Sequence, residues 1–211
     1  MAGVKRPYRL QHRHRQARLQ VEATRRAIVS AARSLFARKG YVATTIAAIA
    51  RDAGVAVQTV YANFGSKRGI FEAVVEVGQS EPDLLDIAQQ FGAASSDPQR
   101  QLRLAAAFNA RFFGRLSDIF DALPGAAAAD PALARLRLRQ EEGRRERIRG
   151  MVAAWAGSGR LRPGLTEAEA VDVMFALGGP EVFRLLVTSS GWSPERYEEW
   201  LVTALESLII P

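Results

Sequence analysis

Apolar residues recur every three to four positions along most of this chain, with polar residues between them. That spacing predicts helices, because one face of a helix repeats about every 3.6 residues. The first strong stripe lies in residues 22–39, and Gly40 follows it as a helix end signal. The stripe consists of Ile28, Ala31, Ala32, Leu35 and Phe36. We therefore predict an all-α protein with a helix over residues 22–39.

Two short helical patterns follow in residues 44–67, TTIAAIARDAGVAVQTVYANFGSK. Gly54 separates them and can adopt the left-handed conformation that ends the first helix, since it has no Cβ. Thr44 or Thr45 can cap that first helix, and Ser66 can cap the helix that follows the motif. Two short helices joined by a tight turn containing glycine form a helix-turn-helix, which usually reads DNA with its second helix in the major groove.

The rest of the chain, from about residue 78, also has the helical pattern. Its prolines, including Pro124, are expected at element boundaries, because Pro is tolerated in a first turn but not inside a helix. Pro180 follows Gly178-Gly179 within one long pattern, so a kink is expected there. Residues 126–129 are four alanines and are predicted to form a loop or a frayed turn. The predicted helices cover residues 83–94, 98–121, 131–157, 166–189 and 194–209.

The charge of the chain is unevenly distributed. Residues 1–71 hold 14 Lys and Arg and only two acidic residues, Glu22 and Asp52, so their net charge is +12, whereas residues 72–211 have a net charge of −5. A positive head joined to a mildly negative body is expected of a protein with a separate nucleic-acid-binding domain. The charge therefore favours DNA binding over a helical hairpin with a structural role only.

The N-terminal residues 1–21 carry six basic side chains and no acidic one. Such a run is usually a solvated, flexible tail. Attached to a DNA-binding head, it can instead follow the phosphates or enter a minor groove. The sequence leaves both alternatives open. His12 and His14 lie in this run, but two-residue spacing does not place them on one helical face, so no metal site is predicted.

Composition and motifs exclude several classes of protein. The chain has no cysteine, which excludes disulfides and thiolate metal sites and is compatible with a reducing compartment. It has no uninterrupted apolar stretch of about 18 residues, and no apolar run follows the basic N-terminus as in a secretory signal. We therefore expect a cytoplasmic protein without a membrane span.

Signatures of catalysis are also missing. The sequence has no G-x-S-x-G elbow, no phosphate-binding P-loop and no H-E-x-x-H metal motif. Glu141 and Glu142 are adjacent carboxylates, but they lie among arginines, where salt bridges are expected rather than acid–base chemistry. We predict that the chain is not an enzyme and has no catalytic residues, metal or cofactor.

The order of residues around the helix-turn-helix resembles the N-terminal domain of the tetracycline-repressor (TetR) family. The matching positions are Thr24, Ile28, Ala32, Leu35, Phe36, Gly40, Thr44, Thr45, Ile49, Ala50, Ala53, Gly54, Val55, Thr59, Val60, Tyr61, Phe64, Ser66 and Lys67. The resemblance implies a homodimeric transcription regulator, most often a repressor released by a small ligand. The match covers about residues 22–72, and we expect three parts: a basic, flexible N-terminal arm (1–21), a DNA-binding domain (22–72) and a helical domain for effector binding and dimerisation (73–211).

Three positions depart from the family pattern. Ala56 stands where a capping Ser or Thr is usual, and omitting such a cap typically costs about 1 kcal/mol. Asn63 stands where His or Tyr is common. Arg68 and Gly69 replace an acidic pair after Lys67, and Gly69 is expected to weaken the start of its helix. These changes concern helix ends and DNA contacts rather than the fold.

Residues at the start of the second motif helix are candidates for base contacts. Gln58 can pair bidentately with adenine, and Thr59 can touch a thymine methyl. Asn63 is a candidate for a base or a phosphate. Tyr61 could instead pack its ring inside the head, and Lys67 could be a solvated charge. We expect Gln58→Ala to alter the preference for base sequence and Lys67→Ala to weaken binding to all DNA sequences alike. The resemblance implies phosphate contacts at Thr44, Thr45, Tyr61 and Lys67.

Large apolar residues of the body can line a ligand pocket, although most residues of such stripes are simply core. The resemblance implies a pocket among the middle helices, and Arg111 is a polar residue near its aromatic candidates. We expect a small apolar or amphipathic effector. The ligand-binding candidates are Phe108, Asn109, Phe112, Phe113, Met151, Trp155 and Phe175.

The last two predicted helices, within about residues 166–209, carry more apolar surface than one small body needs. The resemblance places a four-helix dimer bundle there, so we predict a homodimer that binds a palindromic DNA operator through two heads. The leading interpretation is a dimeric repressor released by a ligand. A DNA-binding organiser of the nucleoid or of division, without a ligand, is the alternative. The missing catalytic residues argue against an enzyme with an accessory DNA-binding head.

Overall fold

The computed structural model describes residues 6–94 and 97–211, without the side chains of residues 6–14, 122–124, 126 and 129. The predicted tail residues 1–5 and the side chains of His12 and His14 thus lie outside the description. Within the described ranges all regular structure is helical, which confirms the predicted all-α class. The chain divides into two compact units, Met1–Val74 and Val75–Pro211. Among the described helices, none is both long and apolar enough to cross a membrane.

The first unit, here called the head, is built from four helices. They are α1 (Arg6–Ala43), α2 (Ile46–Asp52), α3 (Val57–Phe64) and the first part of α4 (Lys67–Gln79). Gly40 interrupts α1 with a φ of 74°, a conformation that residues with a Cβ rarely adopt. The predicted end of the first helix therefore lies at this break. The division between the two units falls within α4.

The core of the head is centred on three aromatic rings. Phe36 and Phe71 lie 5.7 Å apart, centroid to centroid, and Tyr41 lies 5.5 Å from Phe36. All three are buried, as are Ile49 of α2 and Val60 of α3. Because α1, α2, α3 and α4 each contribute to this core, the orientation of the short α3 is fixed by packing rather than by its own length.

The second unit, here called the body, contains the end of α4 and seven further helices. They are α5 (Pro82–Ala93), α6 (Pro98–Ala129), α7 (Pro131–Gly157), α8 (Glu167–Leu177), α9 (Pro180–Phe183), a π-helix (Arg184–Ser189) and α10 (Pro194–Ile209). Helix α6 is central, because it packs against α5, α7, α9 and α10. Thr166 forms a capping box with Glu169 at the start of α8, and Ser193 caps α10.

Helix α1 begins at Arg6, whereas the sequence pattern predicted a start at residue 22 and a flexible arm before it. Residues 15–23 are exposed on every side of the helix, so the apolar periodicity that predicts helices is missing from this segment. The segment nevertheless has no Gly or Pro between Tyr8 and Gly40, and Pro7 stands in the first turn, where Pro is favoured. Local helix propensity, not burial, explains the extension.

Helix α6 is also longer than expected. The four alanines at 126–129 were predicted to form a loop, but they continue the helix to Ala129, and Pro124 lies within it. Alanine has the highest helix propensity, which favours this continuation even though the proline removes one backbone hydrogen bond. The departure from helical geometry lies earlier, at Leu116, with φ −116° and ψ 16°.

The predicted kink before Pro180 is confirmed, because α8 ends at Leu177 and α9 begins at Pro180. Gly178 is packed too closely for another residue: a Cβ there would lie 2.9 Å from the Met174 carbonyl oxygen and 3.0 Å from Nδ2 of Asn109. The sequence did not predict the π-helix that follows. Its wider turn ends with the Ser190 amide donating to the Leu185 carbonyl at 3.0 Å.

Candidate nucleic-acid interface

The turn between α2 and α3 is closed by backbone hydrogen bonds. Gly54 has a φ of 67°, as the helix-turn-helix pattern predicts, and the Val55 amide donates to the Ala50 carbonyl at 2.9 Å. Thr45 caps α2, since its hydroxyl accepts from the Ala48 amide at 3.1 Å. Ala56 at the start of α3 makes no side-chain cap. The missing cap leaves the amides at this helix start open to an anion, such as a DNA phosphate.

Four residues form the exposed outer face of α3, here called the reading face: Val57, Gln58, Tyr61 and Ala62. The Tyr61 side chain is 51% exposed, so its ring is not packed inside the head. Val57 is also exposed, with 40% of its surface accessible. An apolar side chain beside Gln58 suits contact with a thymine methyl, and the sequence pattern missed it because the stripe of a short helix is ambiguous. Thr59 is half-buried.

Thr44, which the resemblance placed among the phosphate contacts, is not on the surface. Its side chain is 1% exposed, and its hydroxyl donates to the Gly40 carbonyl at 2.8 Å. A phosphate cannot reach this hydroxyl while the head is folded. The structure therefore corrects this prediction: Thr44 closes the break after Gly40, and Thr45 is the exposed threonine of the pair.

Lys67 was predicted to hold a phosphate, and its half-buried side chain donates to backbone carbonyls of the head. Nζ donates to the carbonyls of Tyr41 at 2.8 Å, Thr44 at 2.9 Å and Val42 at 3.3 Å. The same atom lies 4.3 Å from the centroid of the Tyr41 ring, in cation–π geometry. Since an ammonium has three N–H donors, these carbonyls occupy them, which a solvated charge would not show.

Gly69 was interpreted as a weakening substitution at the start of α4. The structure gives it a different role, because a Cβ there would lie 2.2 Å from the Phe64 carbonyl oxygen. Only glycine permits this approach between α4 and the end of α3. Ser66 caps α4 as predicted, with its hydroxyl accepting from the Gly69 amide at 3.1 Å. This close packing therefore favours glycine at position 69.

Arg25 of α1 holds the C-terminal end of α3, a role that the sequence did not predict. Its guanidinium donates to the Asn63 carbonyl at 3.2 Å and lies 4.5 Å from the centroid of the Phe64 ring. A cation at this end of a helix also interacts favourably with the helix dipole. The side-chain amide of Asn63 donates one N–H to the Thr59 carbonyl at 2.8 Å, so its oxygen and its second N–H remain able to contact DNA.

Two of the three acidic side chains of the head, Asp52 and Glu72, are paired with neighbouring arginines. Asp52 lies 3.2 Å from Arg51 and 3.9 Å from Arg38, and Glu72 lies 3.7 Å from Arg68. These are exposed pairs, which contribute little to stability. Their effect on the surface is to neutralise the few acids, so that the remaining cations dominate the potential around the reading face.

In the body, the structure brings together three of the predicted ligand-binding residues on α6. Phe108 and Phe112 have ring centroids 5.6 Å apart, and Phe112 and Phe113 have centroids 5.5 Å apart. Phe113 also contacts Phe120 at 5.2 Å and Phe183 of α9 at 5.8 Å. Phe112 and Phe113 are buried, and Phe108 is half-buried. They form one aromatic cluster that extends from α6 to α9.

Two further candidates, Asn109 and Phe175, lie at a polar junction around Gly178. The Gly178 carbonyl accepts from Asn109 at 3.2 Å and from Arg144 of α7 at 3.0 Å. Arg144 and Arg145 lie over the Phe175 ring, at 3.9 and 4.2 Å. Burial lowers the pKa of Arg144 from its ordinary value, with neighbouring carboxylates opposing the shift. The junction therefore joins α6, α7 and α8 through one buried carbonyl.

Trp155 and Met151, both on α7, are not brought into the aromatic cluster by any described ring contact. Trp155 is buried and donates its indole N–H to Oε1 of Gln101 at 2.7 Å. This hydrogen bond satisfies both buried polar groups and ties α7 to the first turn of α6. Met151 is half-buried, and Arg111 is exposed, 4.0 Å from Asp83.

A shallow cleft borders the aromatic cluster. It has about 10 Å³ of free volume, which is near the space that one water molecule needs. Of the predicted ligand-binding residues, only Phe113 lines it. The lining residues are Phe113, Ser117, Phe120, Asp121, Pro180, Phe183, Arg184 and Thr188. Aromatic rings and two charged residues, Asp121 and Arg184, thus line the cleft together.

Tyr197 of α10 is fully buried beside this region, with its ring 5.0 Å from that of Phe183. Its hydroxyl has no hydrogen-bond partner among the described residues. Burial raises the pKa of Tyr197 above its ordinary value, although Arg144 opposes the shift. The group is therefore a neutral phenol that can donate a hydrogen bond but makes none.

The helices predicted to form a dimer bury part of their apolar residues within the chain itself. Val171, Met174, Leu201 and Leu205 are buried. Other apolar residues of the same segment stay on the surface, with Leu185 53% and Leu208 43% exposed. Fewer apolar residues of this segment are therefore available to a partner than the sequence indicated.

Residues 28–74 match the family model described as bacterial regulatory proteins, tetR family. The match covers the helix-turn-helix, the end of α1 and the part of α4 that belongs to the head. A comparison with curated protein sequences gives no match to the chain. Over these residues the chain is similar to the tetR family of bacterial regulatory proteins.

Several solved structures share this fold over most of the chain. NalD of Pseudomonas aeruginosa, described as the secondary repressor of the MexAB-OprM multidrug efflux pump, is 24% identical; the match covers 90% of this chain and 98% of NalD, with a TM-score of 0.67. A SmeT–triclosan complex is 19% identical over 90% of this chain and 92% of SmeT, with a TM-score of 0.72. A transcriptional regulator from Saccharomonospora viridis in complex with choline is 20% identical over 89% and 97%, with a TM-score of 0.67.

Proposed function

We propose that this chain, whose N-terminal domain belongs to the tetR family of bacterial regulatory proteins, is a DNA-binding transcription regulator. It acts as a dimeric repressor that a small molecule releases from a palindromic operator. The observation that carries DNA binding is the reading face of α3, where Gln58 and Tyr61 stand exposed on a head of strongly positive charge. Lying in the major groove, this face places polar and apolar groups against base edges.

Within the head, the candidate DNA contacts now fall into two groups. We assign base contacts to Gln58, Thr59 and Val57, and Asn63 offers its side-chain oxygen and its second N–H. Thr45 and Tyr61 are exposed beside them and suit phosphate oxygens. Lys67 holds the segment that carries Thr45 through its bonds to the backbone carbonyls.

Repression and release by a ligand are supported by the body. NalD is described as a repressor, and the SmeT and Saccharomonospora viridis structures hold triclosan and choline. The aromatic cluster and the adjoining cleft suit a small apolar or amphipathic molecule. Since the cleft holds about 10 Å³, ligand binding requires the cluster to open, and a ligand that binds only the open arrangement shifts the population toward it.

A contact between α4 and α6 offers a route for this shift. A Cβ at Gly78, near the end of α4, would lie 2.6 Å from Cδ1 of Leu116, so the two helices approach closely there. Leu116 is the non-helical residue of α6, and Phe113 and Phe120 flank it by about one turn. Opening the aromatic cluster would therefore move Leu116, which packs against α4. Because α4 continues into the head, this movement can change the position of α4 there.

Dimerisation through residues 166–209 is supported by the exposed leucines of that segment. Leu185 and Leu208 are solvent-exposed in the single chain. A dimer would cover such apolar surface and place two heads on two half-sites of an operator.

The test is selection of DNA from a random duplex library by the full-length protein, followed by sequencing of the recovered fragments and mapping of binding sites in the genome. We expect one palindromic motif at a few promoters. Recovery of no common sequence would refute sequence-specific regulation, and many dispersed sites would favour a nucleoid organiser. Light scattering that showed only monomer at micromolar concentration would refute the dimer.

A further inference from the structure

The N-terminal part of α1 projects beyond the head as an exposed basic helix. Every residue from 15 to 23 is exposed, although the segment is helical. No described side chain forms a hydrogen bond or ion pair with Arg15 or Arg18. A helix that packs on nothing within its own chain, and carries arginines, has a surface available to an acidic partner.

The position of this segment is fixed by Arg25. Arg25 holds the C-terminal end of α3 through the Asn63 carbonyl and the Phe64 ring, so this point of α1 lies at the end of the proposed recognition helix. At 3.6 residues per turn, Arg18 lies two turns earlier, on the same face and about 10 Å along the axis. Arg15 follows on the adjoining face.

The charge of the segment matches DNA rather than an acidic peptide of limited length. Residues 6–21 contain five arginines and no acidic residue, with Glu22 as the first carboxylate of the chain. From Arg25 back to Arg6, α1 extends about 28 Å at 1.5 Å per residue. That length is close to one DNA turn of about 34 Å, over which a duplex carries a continuous row of phosphates.

We infer that the N-terminal extension of α1 binds the phosphate backbone of the duplex beside the operator half-site, with Arg15 and Arg18 as contacts. This inference rests on the proposed function of the head and adds a second DNA-binding element to it. The extension carries no information about base sequence, because arginine contacts to phosphates are the same for every base. The extension raises the affinity for DNA, and full affinity requires a duplex long enough to reach it.

The experiment uses the full-length protein and the duplex that it selects from the random library. One form is about 40 bp long, roughly two turns longer than a trimmed form of about 20 bp. The variant is R15Q/R18Q. The matched control is R135Q/R139Q, which removes the same charge from exposed arginines of α7 in the body. Fluorescence anisotropy measures the dissociation constant between about 50 and 200 mM KCl.

For R15Q/R18Q we expect binding to the long duplex to weaken by about tenfold or more at low salt. The salt slope should fall by about 0.9 for each phosphate that the variant no longer neutralises. On the trimmed duplex the variant should equal the wild type, and its base preference should be unchanged. The control should match the wild type on both duplexes.

Three results would overturn the inference. The first is an R15Q/R18Q variant that binds like the control on the long duplex. The second is equal weakening on both duplexes, which would place the arginines at the half-site or in the fold. The third is a change in stability or oligomeric state without DNA, which would show that the arginines act in folding or in self-association. If the wild type selects no duplex at all, the proposed function itself fails, and that outcome is distinct from these.

Discussion

The ammonium of Lys67 lies 4.3 Å from the centroid of the Tyr41 ring and donates a hydrogen bond to the Tyr41 carbonyl at 2.8 Å. This relationship links the first turn of α4 to the segment between α1 and α2. That segment leads to Thr45, which caps α2. A residue that the sequence suggested for DNA contact thus holds together the elements that present the reading face.

Replacing Lys67 by Met keeps the length of the side chain and removes its charge and donors. Because hydrogen bonds made by charged groups contribute about 1.5–3 kcal/mol, we expect the free energy of unfolding to fall by about 2 kcal/mol. DNA binding should weaken only as far as folding is lost, with an unchanged salt slope. Urea unfolding and DNA titration measure both. Lys39→Met, at an exposed lysine of α1, is the control. A lower salt slope for Lys67→Met in a fully folded head would indicate a phosphate contact.

Gln58→Ala should alter base preference, because Gln58 is exposed near the start of the reading helix. Losing a bidentate contact is expected to cost about 1–3 kcal/mol at one base pair and to relax the preference there. Titration against single-base variants of the selected duplex measures this change. Gln140→Ala, at an exposed position of α7, serves as control. Uniform weakening across all the duplexes would show that Gln58 contacts phosphate.

Gly78→Ala should strain the contact between α4 and α6. The added Cβ would meet Leu116, so overpacking is expected to cost about 1–3 kcal/mol. Leu116→Ala alone should cost about 2–5 kcal/mol through the cavity that it leaves. In the double variant the two costs should not add, because the added Cβ partly fills the cavity and the shorter side chain removes the overpacking. Additive costs in a double-mutant cycle would show that the two residues do not interact.

Tyr197→Phe should stabilise the body. A buried hydroxyl without a partner costs about 1–3 kcal/mol, so removing it is expected to raise the free energy of unfolding by about 1 kcal/mol. Thermal and urea unfolding in the absence of any ligand measure the change. Tyr61→Phe, at an exposed tyrosine of α3, should have little effect. A destabilised Tyr197→Phe variant would mean that the hydroxyl is satisfied by a bound water.

Asp83→Asn should reveal an ion pair that depends on pH. Asp83, in the first turn of α5, lies 2.7 Å from Arg115 of α6, and this hydrogen bond holds the pKa of the carboxyl below its ordinary value. Since the folded pKa is depressed, the stabilisation is present above the ordinary value of about 4 and is lost as pH falls through the folded pKa. Wild type should therefore be more stable than Asp83→Asn at neutral pH, and the difference should shrink as pH falls below about 4 and vanish below the folded pKa.

Unfolding curves between neutral and acidic pH test this prediction, with Glu142→Gln on the exposed face of α7 as control. A difference between wild type and Asp83→Asn that stays constant down to about pH 3 would rule out titration of Asp83 as its cause.

The amino-acid sequence determined the helical class, the helix-turn-helix and most helix ends. These features depend on local chemistry. The period of apolar residues defines a helix, glycine without a Cβ ends α2, and side-chain oxygens of Thr45 and Ser66 cap helices within three residues of themselves. The break before Pro180 likewise depends on local chemistry. Each signal lies within the segment that it shapes, so it can be read from the order of residues.

Only the tertiary structure decided which side chains are available to DNA or to a ligand. Thr44 and Thr45 are adjacent and chemically alike, yet packing buries the first and exposes the second. Lys67 reaches carbonyls 23 to 26 residues away, and Gly69 is required by the approach of the Phe64 carbonyl. Such contacts form where separate helices meet, and a local sequence pattern does not predict the distance between those helices.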